Sequence, residues 1–442
     1  MKAGWISLGC PKNQTDTEYM IGLLAERFPP TSDPHEAEIL IINTCSFIQP
    51  ATQESLDTIV EFARYKQGKC KLLVVTGCLA QRFGVKVQKL LPEVDLWVGT
   101  GEYSRLPELI TEALEQKRTG VYLDNPGWVG MVQGKRSIST GNITAYLKIA
   151  EGCNNRCLFC IIPQLRGKYR SRSLVQLRTE VEGLVADGIK EVVLVAQDTT
   201  AYGEDLGPAQ LFPDLLAALD EIAGDFWIRI LYTYPSRLTA ELLNAIKNSS
   251  HICHYLDIPL QHVAPGVLKA MGRKASAESY LELISRIRKT LPDVAIRSTF
   301  LLGYPGEEEE DFQKVLDFLH QARLDWVGAF PYYREAGTAA ARLKPQVHHS
   351  TRKRRAKEIM ITQQKISLEK NKSQKGRNLR VLLEKRSTRE PNLWIGRSYR
   401  EAPEIDGLVE IQVPPGRVVR EGEFVETRVL DGQPYEVQTK LV

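Results

Sequence analysis

The chain has 442 residues, a length typical of about three domains. Apolar residues make up 43% and charged residues 25% of the sequence, which is the composition of an ordinary soluble globular protein. The formal net charge of +4 does not by itself require a nucleic-acid partner. No stretch approaches the roughly 18 uninterrupted apolar residues of a membrane helix, and the first residues lack the pattern of a signal peptide. We therefore expect a cytoplasmic protein with no membrane partner.

Residues 1–118 alternate predicted strands with predicted helices and form the first unit. Apolar runs predict strands at 5–8, 38–44, 71–77 and 96–100. Helical periods separate these runs, which is the pattern of βαβ units in a parallel sheet. Thr15 and Glu18 match a capping box, so we expect the first helix to begin there.

Three cysteines, Cys10, Cys45 and Cys78, follow the first three predicted strands. A reducing cytoplasm disfavours structural disulfides, so such cysteines indicate metal ligands or catalytic thiols. Ligands of open α/β sheets bind beyond the carboxyl ends of the strands, and the three thiols could therefore meet in space and hold a metal. The spacing of these three cysteines alone would also fit side chains that are simply buried in the core. For Cys70 and Cys253 we predict that packing role.

Residues 135–370 contain a second series of strands and helices. Predicted strands lie at 143–150, 191–196, 226–232, 254–260, 295–303 and 325–332. Room for a helix separates each neighbouring pair, so we predict an incomplete (β/α)6 barrel. The chemistry of such a barrel gathers at the carboxyl ends of its strands.

The last part of the chain is first basic and then β-rich. Residues 343–377 are predicted to form a helix whose exposed side carries the basic run at 352–355. Residues 372–442 contain short β segments separated by turn signals such as EIDG and PPG. We therefore predict a small antiparallel β-barrel as the third unit. The predicted fold class is α/β, with a parallel amino-terminal domain, a partial barrel and this small barrel.

The stretch EGCNNRCLFC follows the first barrel strand and contains Cys153, Cys157 and Cys160. Cysteine thiolates hold iron–sulfur clusters, and a four-iron cluster with three thiolates keeps one iron open. Open coordination positions are where metal sites do chemistry. The C-x3-C-x2-C spacing therefore predicts a 4Fe–4S cluster whose open iron binds the amino and carboxylate groups of S-adenosylmethionine (SAM). Such a pair supplies a 5′-deoxyadenosyl radical.

A structural zinc site is the alternative for this cysteine trio. It would need a distant fourth ligand, for which the candidates are His251, Cys253, His254 and His262. Because zinc sites usually pair their cysteines as C-x2-C, the spacing favours the radical-SAM interpretation.

Four further residues are predicted to lie near the cofactor. Gln197 and Asp198 end the second barrel strand, where polar residues are usually functional. They stand where many radical-SAM proteins carry a glycine-rich motif, and we expect them to contact SAM or substrate. Phe159 is expected beside the adenine, with core packing as its alternative. Gly303 is expected to allow close approach of SAM.

The cysteine-bearing stretches resemble those of a known enzyme family. SLGCPKNQTDTE, NTCSFI, TGCLAQR, EGCNNRCLFCIIP and RGKYRSRS are similar to motifs of the radical-SAM methylthiotransferase family, and the resemblance covers essentially the whole chain. It implies a cluster domain at 1–118, a radical-SAM core at 135–370 and a TRAM-type barrel at 372–442. It also implies that the cysteine trio of the first unit holds a second 4Fe–4S cluster, whose open iron would hold the sulfur to be transferred.

Four other stretches resemble the branch of this family that modifies a ribosomal protein. They are LVAQDTTAYG, YLDIPLQH, YYREAGTAA and GRSYREAPEIDG. The resemblance implies that a methylthio group is added to the β-carbon of an aspartate of small-subunit ribosomal protein S-twelve. It further implies a one-electron donor such as flavodoxin or ferredoxin.

Three other interpretations remain open at this point. The chain could act on an adenosine of transfer RNA, it could be a radical-SAM enzyme with a vestigial first trio, or it could be a non-catalytic, zinc-bearing RNA-binding protein. Arg166, Lys168, Arg170 and Arg172 alternate along the chain and would share one face of an extended segment. That face could guide an acidic substrate or contact ribosomal RNA, or it could simply be solvated.

Overall fold

The computed structural model describes residues 1–123, 136–139, 141, 143–207 and 211–442. In chain order they form a parallel sheet, a partial barrel and a small closed barrel, which confirms the predicted fold class. The predicted boundary at residue 135 lies outside the described residues. Within the described ranges, no helix is long and apolar enough to cross a membrane.

The amino-terminal unit is a six-stranded parallel sheet in the order β2-β1-β3-β4-β5-β6. Its strands are β1 (Ala3–Ser7), β2 (Pro30–Thr31), β3 (Ile39–Thr44), β4 (Leu72–Gly77), β5 (Leu96–Val98) and β6 (Gly120–Tyr122), and its helices are α1 (Pro11–Leu24), α2 (Gln49–Ala63), α3 (Cys78–Val87) and α4 (Leu106–Gln116). Alternate residues of a strand point to opposite faces. Ile39 and Ile41 therefore pack on the face covered by α1 and α4, and Leu40 and Ile42 pack on the face covered by α2 and α3.

The predicted start of the first helix is wrong. Helix α1 begins at Pro11, because proline suits the first helical position, where its missing N–H has no partner to lose. Thr15 and Glu18 lie inside the helix and are buried. Glu18 accepts a hydrogen bond from the Arg136 guanidinium at 2.8 Å instead of capping the helix.

The central unit contains all six predicted barrel strands. Its strands are β7 (Thr144–Lys148), β8 (Ala150–Glu151), β9 (Arg170–Ser171), β10 (Glu191–Val195), β11 (Trp227–Ile230), β12 (Tyr255–Asp257), β13 (Ala295–Leu302) and β14 (Trp326–Pro331). Strands β7, β10 and β11 form one parallel half and β12, β13 and β14 the other. A parallel bridge between Ile228 and Ile252 joins the two halves. Strands β8 and β9 form a separate antiparallel pair.

Helices cover the outside of this partial barrel. They are α5 (Ile162–Arg166), α6 (Leu174–Ala186), α7 (Phe212–Asp220), α8 (Ala240–Asn248), α9 (Pro265–Ala270), α10 (Ala277–Thr290), α11 (Glu309–Ala322) and α12 (His349–Lys372). Helix α12 is the predicted basic helix, but its basic run is not wholly exposed. Arg355 is buried and pairs with the buried Glu307 at 2.8 Å.

The last unit is a closed five-stranded barrel. Its strands are β15 (Asn378–Arg386), β16 (Leu393–Ser398), β17 (Leu408–Gln412), β18 (Phe424–Gly432) and β19 (Glu436–Leu441). The strand order is β15-β16-β17-β19-β18. The pairing of β17 with β19 is parallel, whereas the other four pairings are antiparallel. The barrel therefore differs at this one pairing from the purely antiparallel barrel that was predicted.

The connection between β16 and β17 closes the amino-terminal end of the central barrel. Arg400 pairs with Asp325, immediately before β14, at 3.1 Å. Tyr255, the first residue of β12, donates a hydrogen bond to Asp406 at 2.6 Å, and Arg297 pairs with the same carboxylate at 3.2 Å. The opposite, carboxyl end of the barrel is left for the cysteine sites.

Asp406 makes this closure pH-dependent. Burial raises the pKa of Asp406 from its ordinary value of 3.8 to about 6. The folded state therefore binds this proton more tightly than the unfolded chain does, and the resulting stabilisation is lost as the pH rises through this window. Relative to Asp406→Asn, the wild-type free energy of unfolding should fall by about 3 kcal/mol between about pH 4 and 6 and stay level above that. Urea unfolding of the wild type and Asp406→Asn across this pH range measures the two free energies of unfolding. A difference between them that does not change with pH would contradict the prediction.

Candidate metal centres

The structure places the first cysteine trio at one edge of the amino-terminal sheet. Cys10 caps α1 just beyond β1, Cys45 follows β3 directly, and Cys78 follows β4 as the first residue of α3. Gly9 has a φ of +95°, and a Cβ atom there would lie 2.6 Å from the Cβ of Cys45. Only glycine allows this close approach of the two cysteine-bearing loops.

Asn13 joins the same two loops through its side chain. Its amide nitrogen donates to the carbonyl of Leu8, before Cys10, and to the carbonyl of Thr44, before Cys45, each at 2.9 Å. Cys70 lies before its strand at the other edge of the sheet and is buried.

These thiols are electrostatically coupled. Burial raises the pKa of Cys45 to about 12, with further contributions from Cys78 and Cys10. Burial also raises the pKa of Cys78. Such thiols stay protonated at neutral pH unless a metal ion displaces the protons, and metal coordination deprotonates a thiol outright.

The second trio lies on the loop between β8 and α5. The backbone N–H of Cys160 donates to the carbonyl of Cys157 at 3.1 Å, which forms a tight turn. Burial raises the pKa of Cys160 to about 12, with contributions from Cys157 and Cys153. All three cysteines therefore lie on this one loop, which follows the first barrel strands.

The candidate zinc ligands are all engaged elsewhere. His251 stacks on Phe226, His254 contacts Asp293, and the His262 ring accepts a hydrogen bond from a backbone N–H. Cys253 is buried beside Arg229. Nowhere in the described ranges are three His, Cys, Asp or Glu side chains grouped around a single ion position. The same is true of the two cysteine trios, so what disfavours a closed zinc site, with four ligands within about 2.3 Å of one ion, is that its candidate fourth ligands contact other groups.

The first cysteine trio contacts the segment that follows the second trio, at the boundary between sheet and barrel. Cys78 packs against Ile161 and Leu165, which follow Cys160 closely in the chain. Thr100 donates a hydrogen bond to the carbonyl of Leu165 at 2.7 Å.

The Cys45 loop is tied to the barrel as well. Arg82 donates to the carbonyl of Ser46 and pairs with Glu335, both at 2.9 Å. Glu335 also accepts from the backbone N–H of Gln49 at 2.6 Å. Helices α2 and α3 of the first unit therefore both contact Glu335, which follows the last barrel strand.

A buried charge network lies between the trios. Lys148, at the end of β7, pairs with Asp16 of α1 and with Glu151 at 2.8 Å. Arg166 pairs with Asp16 at 2.6 Å and with Glu151 at 3.1 Å. Burial opposes ionisation of Glu151, but Arg166 and Lys148 outweigh it and lower the pKa of Glu151 to about 2. Two cations thus balance two carboxylates in a buried site.

Arg166 extends this network to the first trio. Its guanidinium lies 3.5 Å from the Sγ atom of Cys78 and also donates to the side-chain carbonyl of Asn13. A three-thiolate cluster carries negative charge, and hydrogen bonds to its sulfurs tune it. A fixed cation at Cys78 therefore fits an iron–sulfur cluster at this place.

The predicted extended basic face at 166–172 is wrong. Arg166 ends α5 and is buried, and Arg172 is buried and pairs with Glu180 at 2.7 Å. Both guanidiniums are turned into the protein because acidic partners from distant segments meet them there.

Gln197 and Asp198 lie beside the second trio. The Gln197 amide nitrogen donates to Glu151 at 2.6 Å, while its carbonyl oxygen is buried and has no partner in the described ranges. Asp198 accepts from Asn155, within the cysteine loop, at 2.6 Å and pairs with Arg237 at 3.0 Å. An orphaned acceptor next to the cysteine loop fits a ligand that carries an amino group.

Phe159 and Gly303 have packing roles in the structure. The Phe159 ring meets the edge of Tyr304, with ring centroids 6.4 Å apart. Gly303 has a φ of +72°, and a Cβ atom there would lie 2.3 Å from the side chain of Arg352 in α12. Close packing of α12 is enough to require glycine, so a role of Gly303 toward SAM stays a prediction.

Sequence reasoning missed Lys12 and most of the charge network. The Lys12 ammonium lies 3.5 Å from the centroid of the Tyr232 ring, at the seam between the first unit and the barrel. A lysine at 148, inside an otherwise apolar predicted strand, was a signal that a buried acidic partner exists.

Comparisons with known proteins cover nearly the whole chain. It matches the Radical SAM superfamily over residues 147–319, Uncharacterized protein family UPF0004 over 2–99 and the TRAM domain over 376–442. The solved structure of the radical SAM methyltransferase TsrM from Kitasatospora setae, with cobalamin and a 4Fe–4S cluster bound, is similar with a TM-score of 0.57, 15% identity and 77% coverage of each chain. At that identity the likeness shows the fold alone.

Curated relatives are much more similar in sequence. The chain is 43% identical to "Ribosomal protein uS12 methylthiotransferase RimO" of Geobacter sulfurreducens over 100% of this chain and 98% of the relative. It is 47% identical to the protein of the same name from Moorella thermoacetica over 93% of each. Radical-SAM membership brings a 4Fe–4S cluster and SAM as cofactors. The predicted family is thus confirmed, and this chain belongs to the RimO family of radical-SAM methylthiotransferases.

Proposed function

We propose that this enzyme replaces one hydrogen on the β-carbon of an aspartate of ribosomal protein uS12 with a methylthio group. The relatives that share its full length are named for uS12. The observation that carries the proposal is the packing of Cys78, from one trio, against Ile161, next to the other trio. Two cysteine sites joined by this contact suit a reaction that needs both a radical and a sulfur donor.

Cys153, Cys157 and Cys160 would hold the 4Fe–4S cluster that binds SAM, and Cys10, Cys45 and Cys78 would hold a second 4Fe–4S cluster. Bound there, these groups would supply radical chemistry toward a C–H bond and a source of methylthio sulfur. A radical is needed because the β-carbon hydrogen is not acidic enough for base chemistry.

The protein's own residues position these groups. The free carbonyl of Gln197 is available to accept a hydrogen bond from the SAM amino group, and Glu151 holds that side chain in place at 2.6 Å. Asp198 fixes the second cysteine loop through Asn155 at 2.6 Å. Arg166 supplies positive charge at Cys78 at 3.5 Å. These contacts orient the cofactors without taking part in bond making.

Lys12 is the side chain that would meet the substrate carboxylate. It lies two residues after Cys10 and is half-buried over the Tyr232 ring at 3.5 Å. It forms no ion pair with any side chain in the part of the chain that the structure describes. An unpaired ammonium beside the first trio suits an aspartate whose β-carbon must lie between the two sites.

Lys12→Gln should therefore raise the KM for uS12 about tenfold or more, since a charge-assisted hydrogen bond contributes about 1.5–3 kcal/mol. Cleavage of SAM in the absence of uS12 should be unchanged. The matched control is Lys89→Gln, an exposed lysine of the first unit, which should alter neither quantity. An equal loss of SAM cleavage in Lys12→Gln would mean that Lys12 is structural.

The direct test uses anaerobically reconstituted enzyme with SAM, a reductant, and either uS12 or transfer RNA. We expect a methylthio mass gain on one aspartate of uS12. A gain on transfer RNA alone would overturn the proposal. Colourless protein that contains zinc and leaves SAM intact would support the non-catalytic alternative. The physiological reductant would be flavodoxin or ferredoxin, and the setting the cytoplasm.

A further inference from the structure

A surface groove lies directly outside the Cys157 loop. It has a volume of about 420 Å³, and its walls include Tyr234, Lys274, Tyr280 and Arg286. Arg273 also lines it; its side chain is buried, and the guanidinium lies 4.0 Å from the Sγ atom of Cys157. A single side chain therefore separates the groove from a predicted cluster ligand.

The cysteine loop and the groove share one continuous backbone surface. The N–H of Leu158 donates to the carbonyl of Met271 at 3.0 Å. A Cβ atom on Gly272 would lie 2.6 Å from the carbonyl oxygen of Arg156. Leu158 itself is 37% exposed, which leaves an apolar contact point beside the groove.

The rim of this surface carries unneutralised positive charge. Arg156, Lys269, Lys274 and Arg286 are exposed. None of them forms an ion pair within the described ranges; Arg286 donates only to a backbone carbonyl. Glu282 is the one carboxylate among the residues that line the groove. The net charge of the whole chain is only +4, so this local excess of cations is a distinct feature.

We propose that this basic groove docks the small acidic protein that delivers one electron to the SAM-binding cluster. The inference rests on the proposed function, because only a radical reaction needs that electron. In the step, the carrier loses one electron and the cluster gains it, with no bond made or broken. Weak electron-transfer encounters use small interfaces, and complementary charges steer their association. A basic rim around a short path to Cys157 has these properties.

The test compares charge reversal on this rim with a matched reversal elsewhere. The variant is Lys269→Glu/Lys274→Glu, and the control is Lys86→Glu/Lys89→Glu, near the end of α3 and just after it; all four lysines are exposed. Stopped-flow mixing of the holoenzyme with flavodoxin hydroquinone, or with a reduced acidic ferredoxin, should show a second-order rate of cluster reduction about tenfold lower for the variant at low salt. The difference should shrink as salt rises. Reduction by titanium(III) citrate should be the same in all three proteins.

A second readout does not depend on electron transfer. Zero-length carbodiimide cross-linking of holoenzyme to flavodoxin should join carboxylates of the carrier to Lys269 or Lys274, as located by mass spectrometry. Cross-links confined to other lysines, or an unchanged reduction rate in the variant, would overturn the proposal. So would a defect confined to uS12 within the ribosomal subunit, which would assign the groove to RNA. Because reduction is measured without uS12, failure of the proposed substrate would not imitate failure of this site.

Discussion

Replacing Cys45 with alanine is expected to abolish methylthio transfer while SAM cleavage continues. Cys45 belongs to the first trio, whereas the SAM-binding site is proposed to lie on the loop that carries Cys153, Cys157 and Cys160. Two clusters correspond to about eight iron atoms per chain, and loss of one should leave about four. Iron content, 5′-deoxyadenosine and methylthiolated uS12 are measured on the same preparation.

Two further variants serve as controls for this result. Cys70→Ala removes a buried thiol at the other edge of the sheet and should change neither iron content nor product. Cys157→Ala should stop both SAM cleavage and methylthio transfer. Full methylthio transfer by Cys45→Ala would mean that the first trio is dispensable, as in the vestigial alternative.

Arg166→Met is expected to destabilise the protein strongly. Within the described ranges, removal of this guanidinium leaves Asp16 and Glu151 paired with only one cation, Lys148. Breaking a buried ion pair by removing one partner costs about 3–5 kcal/mol, because the other charge stays buried and uncompensated. Glu151, whose pKa is lowered to about 2 in the intact network, is ionised at neutral pH and cannot avoid this cost without taking up a proton. Anaerobic urea unfolding of the reconstituted enzyme measures the loss.

The double variant Asp16→Asn/Arg166→Met separates charge from packing. It restores one cation for one carboxylate and should recover part of the lost stability. Arg166→Met should also lower the reduction potential of the cluster proposed at the first trio, since a positive charge 3.5 Å from Cys78 favours the reduced, more negative form; the double variant, which keeps the net charge of the wild type, should lower it less. If the double variant is no more stable than Arg166→Met and the potential does not move, the network acts by packing alone.

The strands could be predicted from the sequence because their signal is local. The apolar runs of the sheet and barrel are short, bounded and separated by helical periods, and every predicted strand of these two units is present. The position of the cysteines after the strands also follows from the local pattern. The capping-box motif at Thr15 and Glu18 was equally local but misleading, since Pro11 already fixes the helix start and Glu18 pairs with Arg136 far along the chain.

The charge network could not be predicted, because its partners come from distant segments. Alternating cations at 166–172 are typical of an exposed strand, and nothing in that stretch reveals that Asp16 and Glu151 enclose Arg166. The same holds for the close packing of α12 on Gly303, which nothing in the local turn pattern reveals. The strands and the cysteines could be predicted from local sequence patterns. The charged and packed neighbours of each site could not, because they come from distant parts of the chain.

The most direct measurement of the central claim is the magnetic interaction between the two reduced clusters. Cys78 packs against Ile161, beside Cys160, so both clusters should lie close enough for their electron spins to interact. Electron paramagnetic resonance of the fully reduced wild-type enzyme should show a broadened, fast-relaxing spectrum that becomes a simple one-cluster spectrum in Cys45→Ala. A wild-type spectrum equal to the sum of two independent clusters, or to one cluster alone, would contradict two facing metal sites.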